Sequence, residues 1–262
     1  MTGKMRISID FTKSAQENAN DYYQKAKRFE RKRVGAEKAI AELEERYRKV
    51  EKERSVEERR VIKRTEKRWF QKFHWFYTSK GMLVIGGRDA GQNELINSKH
   101  FGDNDLFFHA DIYGASVVIL VEGVNGDEES RIEAAQFSGC YSSAWAAMLR
   151  SIDVYSLKRS QISKAKDKGS LGKGSFLMSG EREWYRNIKL ELAAFVKDGE
   201  INFMPSVCFD KLEIHGRHVL IVQGDMKKSD AAKKISKFLE FDDLDTIMQQ
   251  LPSGTFSIKI FD

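Results

Sequence analysis

From position 15 to 50 one set of positions recurs alternately four and three residues apart: Ala15, Ala19, Tyr22, Ala26, Phe29, Arg33, Ala36, Ile40, Leu43, Tyr47 and Val50. Of these only Arg33 is polar. A 3.5-residue period held over about five heptads predicts a coiled-coil helix, roughly 50 Å long at about 1.5 Å per residue. Thr12 or Ser14, ahead of Glu17, supplies its N-capping signal. After Ser55 a second, shorter charged helix is expected over 57–67. It holds too few apolar residues to cover the first along its length, so the seam calls for another partner.

At Trp69 the pattern changes to aromatics, with Phe70, Phe73, Trp75, Phe76 and Tyr77 following closely. That density marks the entry to a globular domain and reads as core rather than as a base-stacking platform. Strand-like runs follow at 82–85, 106–109, 116–121, 154–157, 175–178, 189–195, 218–222 and 256–260. Helical patterns lie at 90–100, 131–151, 229–239 and 243–249. Strands and helices mixed without regular alternation predict an α+β fold. The expected organisation is a coiled-coil arm at 12–68, a mixed α/β domain at 69–200, and a strand-helix-helix-strand layer at 201–262 that completes that domain or is appended to it.

With 41% apolar residues the chain can build a real core. The formal net charge of +6 lies almost wholly between Lys13 and Arg68. Excess of that kind on one long element suits an extended polyanion, since each neutralised phosphate releases a counterion; a solvated coiled-coil face is the competing explanation. Cys140 and Cys208 sit among small or apolar residues and form no C-x-x-C pair, which fits buried free thiols in a reducing compartment. No apolar stretch approaches the ~18 residues needed to span a bilayer, and no signal-peptide core opens the chain. A soluble, cytoplasmic protein without membrane contact is expected.

Two polar, glycine-bearing clusters interrupt the apolar runs. The first is Ile85-Gly86-Gly87-Arg88-Asp89-Ala90 with Asn93-Glu94. It reads as strand, tight turn and helix start, with Asp89 placed to cap the helix. Glycine lets backbone approach a ligand, free N–H groups at a helix start favour an anion, and Arg88 adds a planar donor suited to phosphate. Alternatively the turn is structural and Arg88 pairs with Asp111 or Glu94. Neither G-x-x-x-x-G-K-[ST] nor G-x-G-x-x-G occurs here, which disfavours a mononucleotide enzyme.

The second cluster is His109-Ala110-Asp111 with Gly114-Ala115-Ser116. On a strand the His-x-Asp spacing puts both side chains on one face. Asp111 can then orient His109, either as a general base in a hydrolytic or nuclease site with Ser116 and Arg88, or as a donor to RNA; the second role is the expected one. Between 158 and 175 a basic segment carries Lys158, Arg159, Lys164, Lys166, Lys168 and Lys173 among Ser and Gly, against Asp167 alone. Such loops commonly contact phosphates, although a solvated loop is as well supported by composition. The remaining histidines, His74, His100, His215 and His218, fall in no recurrent ligand spacing, so neither metal nor cofactor is expected.

Trp69-Phe70 with Phe73-His74-Trp75-Phe76, Gly86-Gly87-Arg88-Asp89-Ala90 with Gln92-Asn93-Glu94, and His109-Ala110-Asp111 with Gly114-Ala115-Ser116 together resemble the NFACT-R domain of the NEMF and RqcH family. Tyr141-Ser142 with Ala144-Trp145, Val154-Tyr155, Gln161-Ile162-Ser163-Lys164 and Lys173-Gly174-Ser175-Phe176 extend the likeness. Upstream, Asp10, Lys13-Ser14-Ala15, Asn18-Ala19, Tyr22-Tyr23 and Lys25-Ala26-Lys27 look like the family's coiled-coil arm. Downstream, Gly224-Asp225 and Leu251-Pro252-Ser253-Gly254 are similar to the end of archaeal members.

The resemblance implies a ribosome-associated quality-control factor that senses peptidyl-tRNA stranded on a dissociated large ribosomal subunit. In some members it also implies recruitment of tRNA to extend the stalled peptide with a C-terminal tail. The family normally begins with an NFACT-N domain and a helix-hairpin-helix segment. Neither precedes Asp10, so a fragment or a stand-alone arm-plus-NFACT-R protein is expected, without independent tail synthesis. Two positions depart from the family pattern: Tyr113 stands where His is usual, and 167–171 replaces a proline-bearing loop. Tyr stays neutral near pH 7 where His can carry charge.

The expected function is therefore non-enzymatic: an RNA-binding module holding tRNA or rRNA on the stalled large ribosomal subunit. Arg88, Asp89, Asn93, His109, Asp111, Ser116, Lys164, Lys173 and Ser175 are its candidate phosphate or RNA contacts. The competing class is a protein-interaction scaffold in which the coiled coil pairs with itself or with another family segment and recruits a quality-control partner.

Overall fold

The computed structural model describes residues 7–62, 68–163, 176–212 and 214–262, with side chains of the first helix described as far as 49. The chain divides into two units, Met1–Lys67 and Arg68–Asp262.

The first unit is one helix, α1 (Ala15–Ile62). Ser14 and Glu17 form its capping box: the Ser14 N–H donates to Glu17 Oε2 at 2.7 Å, and the Glu17 N–H returns to Ser14 Oγ at 3.3 Å. The separate helix expected after Ser55 is absent, because the backbone continues helically to Ile62. Neither Gly nor Pro lies near Ser55, and a serine can sit within a helix as well as cap one. Arg33, the polar member of the seam, pairs with Glu30 and Glu37, three residues before it and four after. Such pairs contribute ~0.3–0.5 kcal/mol each, so α1 by itself has little beyond local interactions to hold it.

The second unit opens with a short 3₁₀ turn at Trp69–Lys72. Chain order then runs β1 (His74–Tyr77), β2 (Leu83–Gly86), α2 (Ala90–Lys99), β3 (Leu106–Ala110), β4 (Val118–Leu120), α3 (Glu128–Cys140), α4 (Ser143–Ala146), β5 (Ser151–Lys158), β6 (Ile162–Ser163), β7 (Leu177–Met178) and β8 (Glu183–Lys189). It ends with β9 (Leu192–Lys197), β10 (Glu200–Pro205), α5 (Ser206–Phe209), β11 (His218–Met226), α6 (Lys228–Leu239), α7 (Leu244–Gln250) and β12 (Phe256–Phe261).

One antiparallel sheet has the order β1-β2-β4-β3-β5-β8, and a second has β10-β9-β11-β12. Leu106, Phe108 and Ala110 point to a core that also holds α3, the second sheet and α6. Phe107 points the other way, into a smaller core with Phe70, Phe73, Ile96 and Tyr155. The period-2 alternation of a strand thus buries both faces of the sheet centre. Phe70, Phe73 and Phe76 are buried as the aromatic run suggests, while Trp69 is half-exposed and stacks on His100. Cys140 and Cys208 are free and buried.

The helix expected over 131–151 is shorter than the pattern suggested. Ser142 ends it by donating to the Gly139 carbonyl at 2.7 Å and accepting from the Ala144 N–H at 3.2 Å, which restarts the chain as α4. Residues 189–195, expected as one strand, instead contain the corner between β8 and β9.

Candidate nucleic-acid interface

The first polar cluster forms the predicted strand, turn and helix. Asp89 caps α2, accepting from the Gln92 N–H at 2.9 Å, so the site of an incoming anion is filled by the chain's own carboxylate. Gly87 serves a close approach of a different kind from the one expected. A Cβ there would lie 2.0 Å from Asn93 Oδ1, an oxygen that accepts from the Val117 N–H at 3.1 Å. Asn93 therefore ties α2 to the loop before β4, leaving its amide nitrogen as the group able to meet a sugar or base.

Arg88 turns away from the helix start. Its guanidinium donates to Gln249 Oε1 at 3.0 Å and to the Phe73 carbonyl at 3.0 Å, rather than pairing with Asp111. It lies on the lining of a cleft of about 720 Å³ shared with Ser116, His74, Tyr141, Lys228 and the segment after α7. Three further bonds close that region: Tyr141 Oη to the Gln250 carbonyl at 2.7 Å, His74 Nδ1 to Gln250 Oε1 at 3.4 Å, and Lys228 Nζ to the Leu251 carbonyl at 2.8 Å. Burial, then the Arg88 charge, holds the His74 imidazole down at about 3, so it is neutral. Burial and then Arg88 also lower the Lys228 pKa. Gly114, Ser116, Tyr141, Ser142 and the 251–253 segment are separated in sequence, yet all reach this cleft.

His109 and Asp111 belong elsewhere. The His109 ring lies parallel to Phe107, with centroids 6.0 Å apart, and its Nδ1 is 3.4 Å from Tyr155 Oη. Burial lowers its pKa; Asp111 opposes that only through its charge. Around Tyr155 the edge strand β8 and the residue before it build a layered face. The Arg182 guanidinium sits 4.3 Å from the Tyr155 ring centroid, Arg186 sits 4.1 Å from that of Trp184, and the two rings are 5.2 Å apart. Asp153 fixes Arg186 by a 2.6 Å ion pair. Stacked guanidinium planes of this kind can meet phosphates edge-on and bases face-on.

Lys164, Lys173 and Ser175 lie outside the described residues, but both strands that bracket their segment are described. β6 pairs with β7, and Met178 Sδ on β7 is 3.0 Å from Tyr155 Oη, so the strands on either side of that segment lie beside Tyr155.

The candidate residues thus separate into two groups, Arg88 and Ser116 at the cleft, and His109 and Asp111 near Tyr155. They do not assemble into one hydrolytic site. Lys228, Arg182, Trp184 and Arg186 were not singled out from the sequence. Arg182-Glu183-Trp184-Tyr185-Arg186 does interleave cations and aromatics, a signal that could have been used. Among the described residues no group of three or more His, Cys, Asp or Glu is placed to hold a metal, and no helix is long and apolar enough to cross a membrane.

Residues 72–180 match the family described as NFACT protein RNA binding domain. The chain is 38% identical over 200 residues to the archaeal Rqc2 homolog aRqcH of Methanocaldococcus jannaschii, covering 73% of this chain and 29% of that protein. Identity is 35% over 195 residues to the ribosome quality control complex subunit NEMF homolog of Drosophila melanogaster, covering 71% of this chain and 19% of that protein. The chain therefore spans less than a third of these relatives. A solved structure, the C-terminal of the fibronectin/fibrinogen-binding protein from Streptococcus suis, aligns with 48% of this chain and 49% of its own at 20% identity and a TM-score of 0.40. By its matched domain and its relatives, the chain is an NFACT-R protein of the RqcH and NEMF family.

Proposed function

We propose that this chain is the RNA-binding module of a ribosome quality-control factor, working in the cytoplasm and holding tRNA or rRNA on the large ribosomal subunit. The observation that carries this reading is the face of Arg182, Tyr155, Trp184 and Arg186, set beside the strands that bracket the basic segment. Exposed guanidinium groups layered on rings suit unpaired bases and phosphates without demanding a sequence. The name of the fly relative, a ribosome quality control complex subunit NEMF homolog, supports a ribosomal partner for the chain. Within this reading the chain is not an enzyme: His109 does not share the cleft with Ser116 and Arg88.

A second role is favoured by α1, whose seam residues Phe29, Ile40, Leu43 and Tyr47 are exposed. An apolar stripe of that spacing suits pairing with another helix.

Co-sedimentation of the chain with purified large subunits and with intact ribosomes, over a salt series, tests the proposal. Preferential binding to the free large subunit that weakens steeply with salt is the expected result, since several phosphate contacts are released together. Binding that ignores salt points to α1 pairing instead, and no binding by the folded chain contradicts the proposal.

A further inference from the structure

The cleft differs chemically from the β8 face. Arg88 enters it from the turn before α2 and Lys228 from the start of α6, and both are half-buried on its lining. They are close enough that the Arg88 charge disfavours protonation of Lys228. Two like charges withdrawn from water raise the energy of the free protein unless something neutralises them.

Their partners do not. Arg88 meets the Gln249 side chain and the Phe73 carbonyl, and Lys228 meets the Leu251 carbonyl, all uncharged oxygens. Arg88 Nε is buried with no hydrogen-bond partner. Asp245, the acidic residue on the lining, is exposed and among the described residues forms no ion pair with either cation.

A pocket with two positive charges on its lining and only uncharged oxygens beside them is matched by a dianion. A phosphomonoester carries about −1.5 to −2 at pH 7, whereas a backbone phosphodiester carries only a single charge. The volume of about 720 Å³ is far more than one phosphate fills. It falls within the roughly 300–1,000 Å³ typical of small-molecule and cofactor sites. The Ser116 hydroxyl and the apolar Met248 and Pro252 side chains on the same lining offer surface for a sugar and a base.

We propose that this cleft binds the phosphomonoester of a nucleotide, either free or at the end of an RNA strand. Only the second source rests on the RNA-binding function proposed above. The site has no phosphate-binding glycine motif; it is built by three distant parts of the chain and selects by charge.

The test uses the whole chain and three versions of one short single-stranded RNA, with a 5′-phosphate, a 3′-phosphate, or hydroxyl groups at both ends. Adenosine 5′-monophosphate is titrated separately. A phosphorylated end is expected to bind about tenfold more tightly than a hydroxyl end, as one charge-assisted hydrogen bond can supply. Lys228→Met should remove that preference while leaving binding of the hydroxyl-ended RNA unchanged, and Lys228→Arg should retain it. The arginine variant also covers the case in which methionine impairs folding, which thermal denaturation reports.

Lys228-dependent binding of adenosine 5′-monophosphate without an end preference identifies the free nucleotide as the ligand. If no RNA binds but the mononucleotide does, the RNA-binding function fails and the cleft assignment stands. If all three RNAs bind equally and the mononucleotide does not bind, the cleft assignment is overturned while the RNA-binding function survives. Failure of every ligand to bind overturns both.

Discussion

On β8 and the residue before it, Arg186 and Arg182 lie exposed over Trp184 and Tyr155, whereas Arg88 and Lys228 are half-buried in a cleft closed by α6 and α7. The first pair keeps most of its water and costs the fold little, so each contact it offers a polyanion is weak and screened by salt. The second pair gives up water before any ligand arrives, and its interactions are correspondingly stronger once made. Surfaces of the first kind bind many sequences, while pockets of the second kind choose among chemical groups. The two also differ in support. The β8 face is local to one sheet edge, but the cleft depends on contacts between segments far apart in the chain, as the Arg88–Gln249 and Tyr141–Gln250 bonds show.

That dependence makes the cleft the more breakable region, and acid should break it most. His74 is buried and neutral, held at about 3 against an ordinary 6.5. A depressed histidine pKa means that the unfolded chain takes up a proton more readily than the native one. The stability this confers is complete above pH 6.5 and is lost as pH falls from there towards 3, up to ~4–5 kcal/mol in all. Urea unfolding at a series of pH values should therefore show a shallower acid limb for His74→Gln than for the parent chain. Superimposable limbs would mean that His74 is not the buried neutral group.

Gly87→Val comes next. Its Cβ would meet both the side chain and the backbone nitrogen of Asn93, at 2.0 and 2.9 Å. Overpacking against backbone costs ~1–3 kcal/mol or more. Thermal denaturation should show a drop of several degrees, and the turn bearing Arg88 should lose its position. Unchanged melting would remove Asn93 from its role as the clamp.

The β8 face should behave in the opposite way. Replacing Arg182 and Arg186 together by alanine is expected to leave the melting temperature within about two degrees, lower RNA affinity roughly tenfold, and flatten its salt dependence by one to two phosphate contacts. A fall in stability with RNA affinity intact would make these arginines packing residues. The smallest effect is expected at Asp89. Asp89→Ala should cost ~1 kcal/mol of stability through the lost cap and leave RNA affinity unchanged. A loss of affinity without a loss of stability would return Asp89 to the RNA contacts.

What could be read from the sequence follows the same division between local and distant. The Ser14–Glu17 box, the helical period of α1 and the Asp89 cap are each written in locally spaced residues, and the box, the helix and the cap are all present. Strand β8 escaped detection because its alternation breaks: the register against β5 slips between Ile152 and Val154, and Asn187 adopts a φ of 53° with its N–H held by Asp153. Its exposed edge also carries charge where a buried strand carries aliphatic residues. Nothing local in the sequence distinguishes Lys228, at the start of α6, from an ordinary surface lysine. It becomes a binding candidate only because the fold sets it beside Arg88. Gly87 and Asn93 stand out in the sequence as parts of a glycine-bearing polar cluster, and the close approach the glycine permits is to Asn93 itself.

The central claim is that RNA lies on the β8 face. Ultraviolet cross-linking of the chain to single-stranded RNA, followed by mass spectrometry of the linked peptides, tests it most directly. The account predicts links concentrated at Trp184 and its exposed neighbours Arg182 and Arg186, and in the basic segment between β6 and β7. Links confined to α1, with none on 151–189, would contradict it.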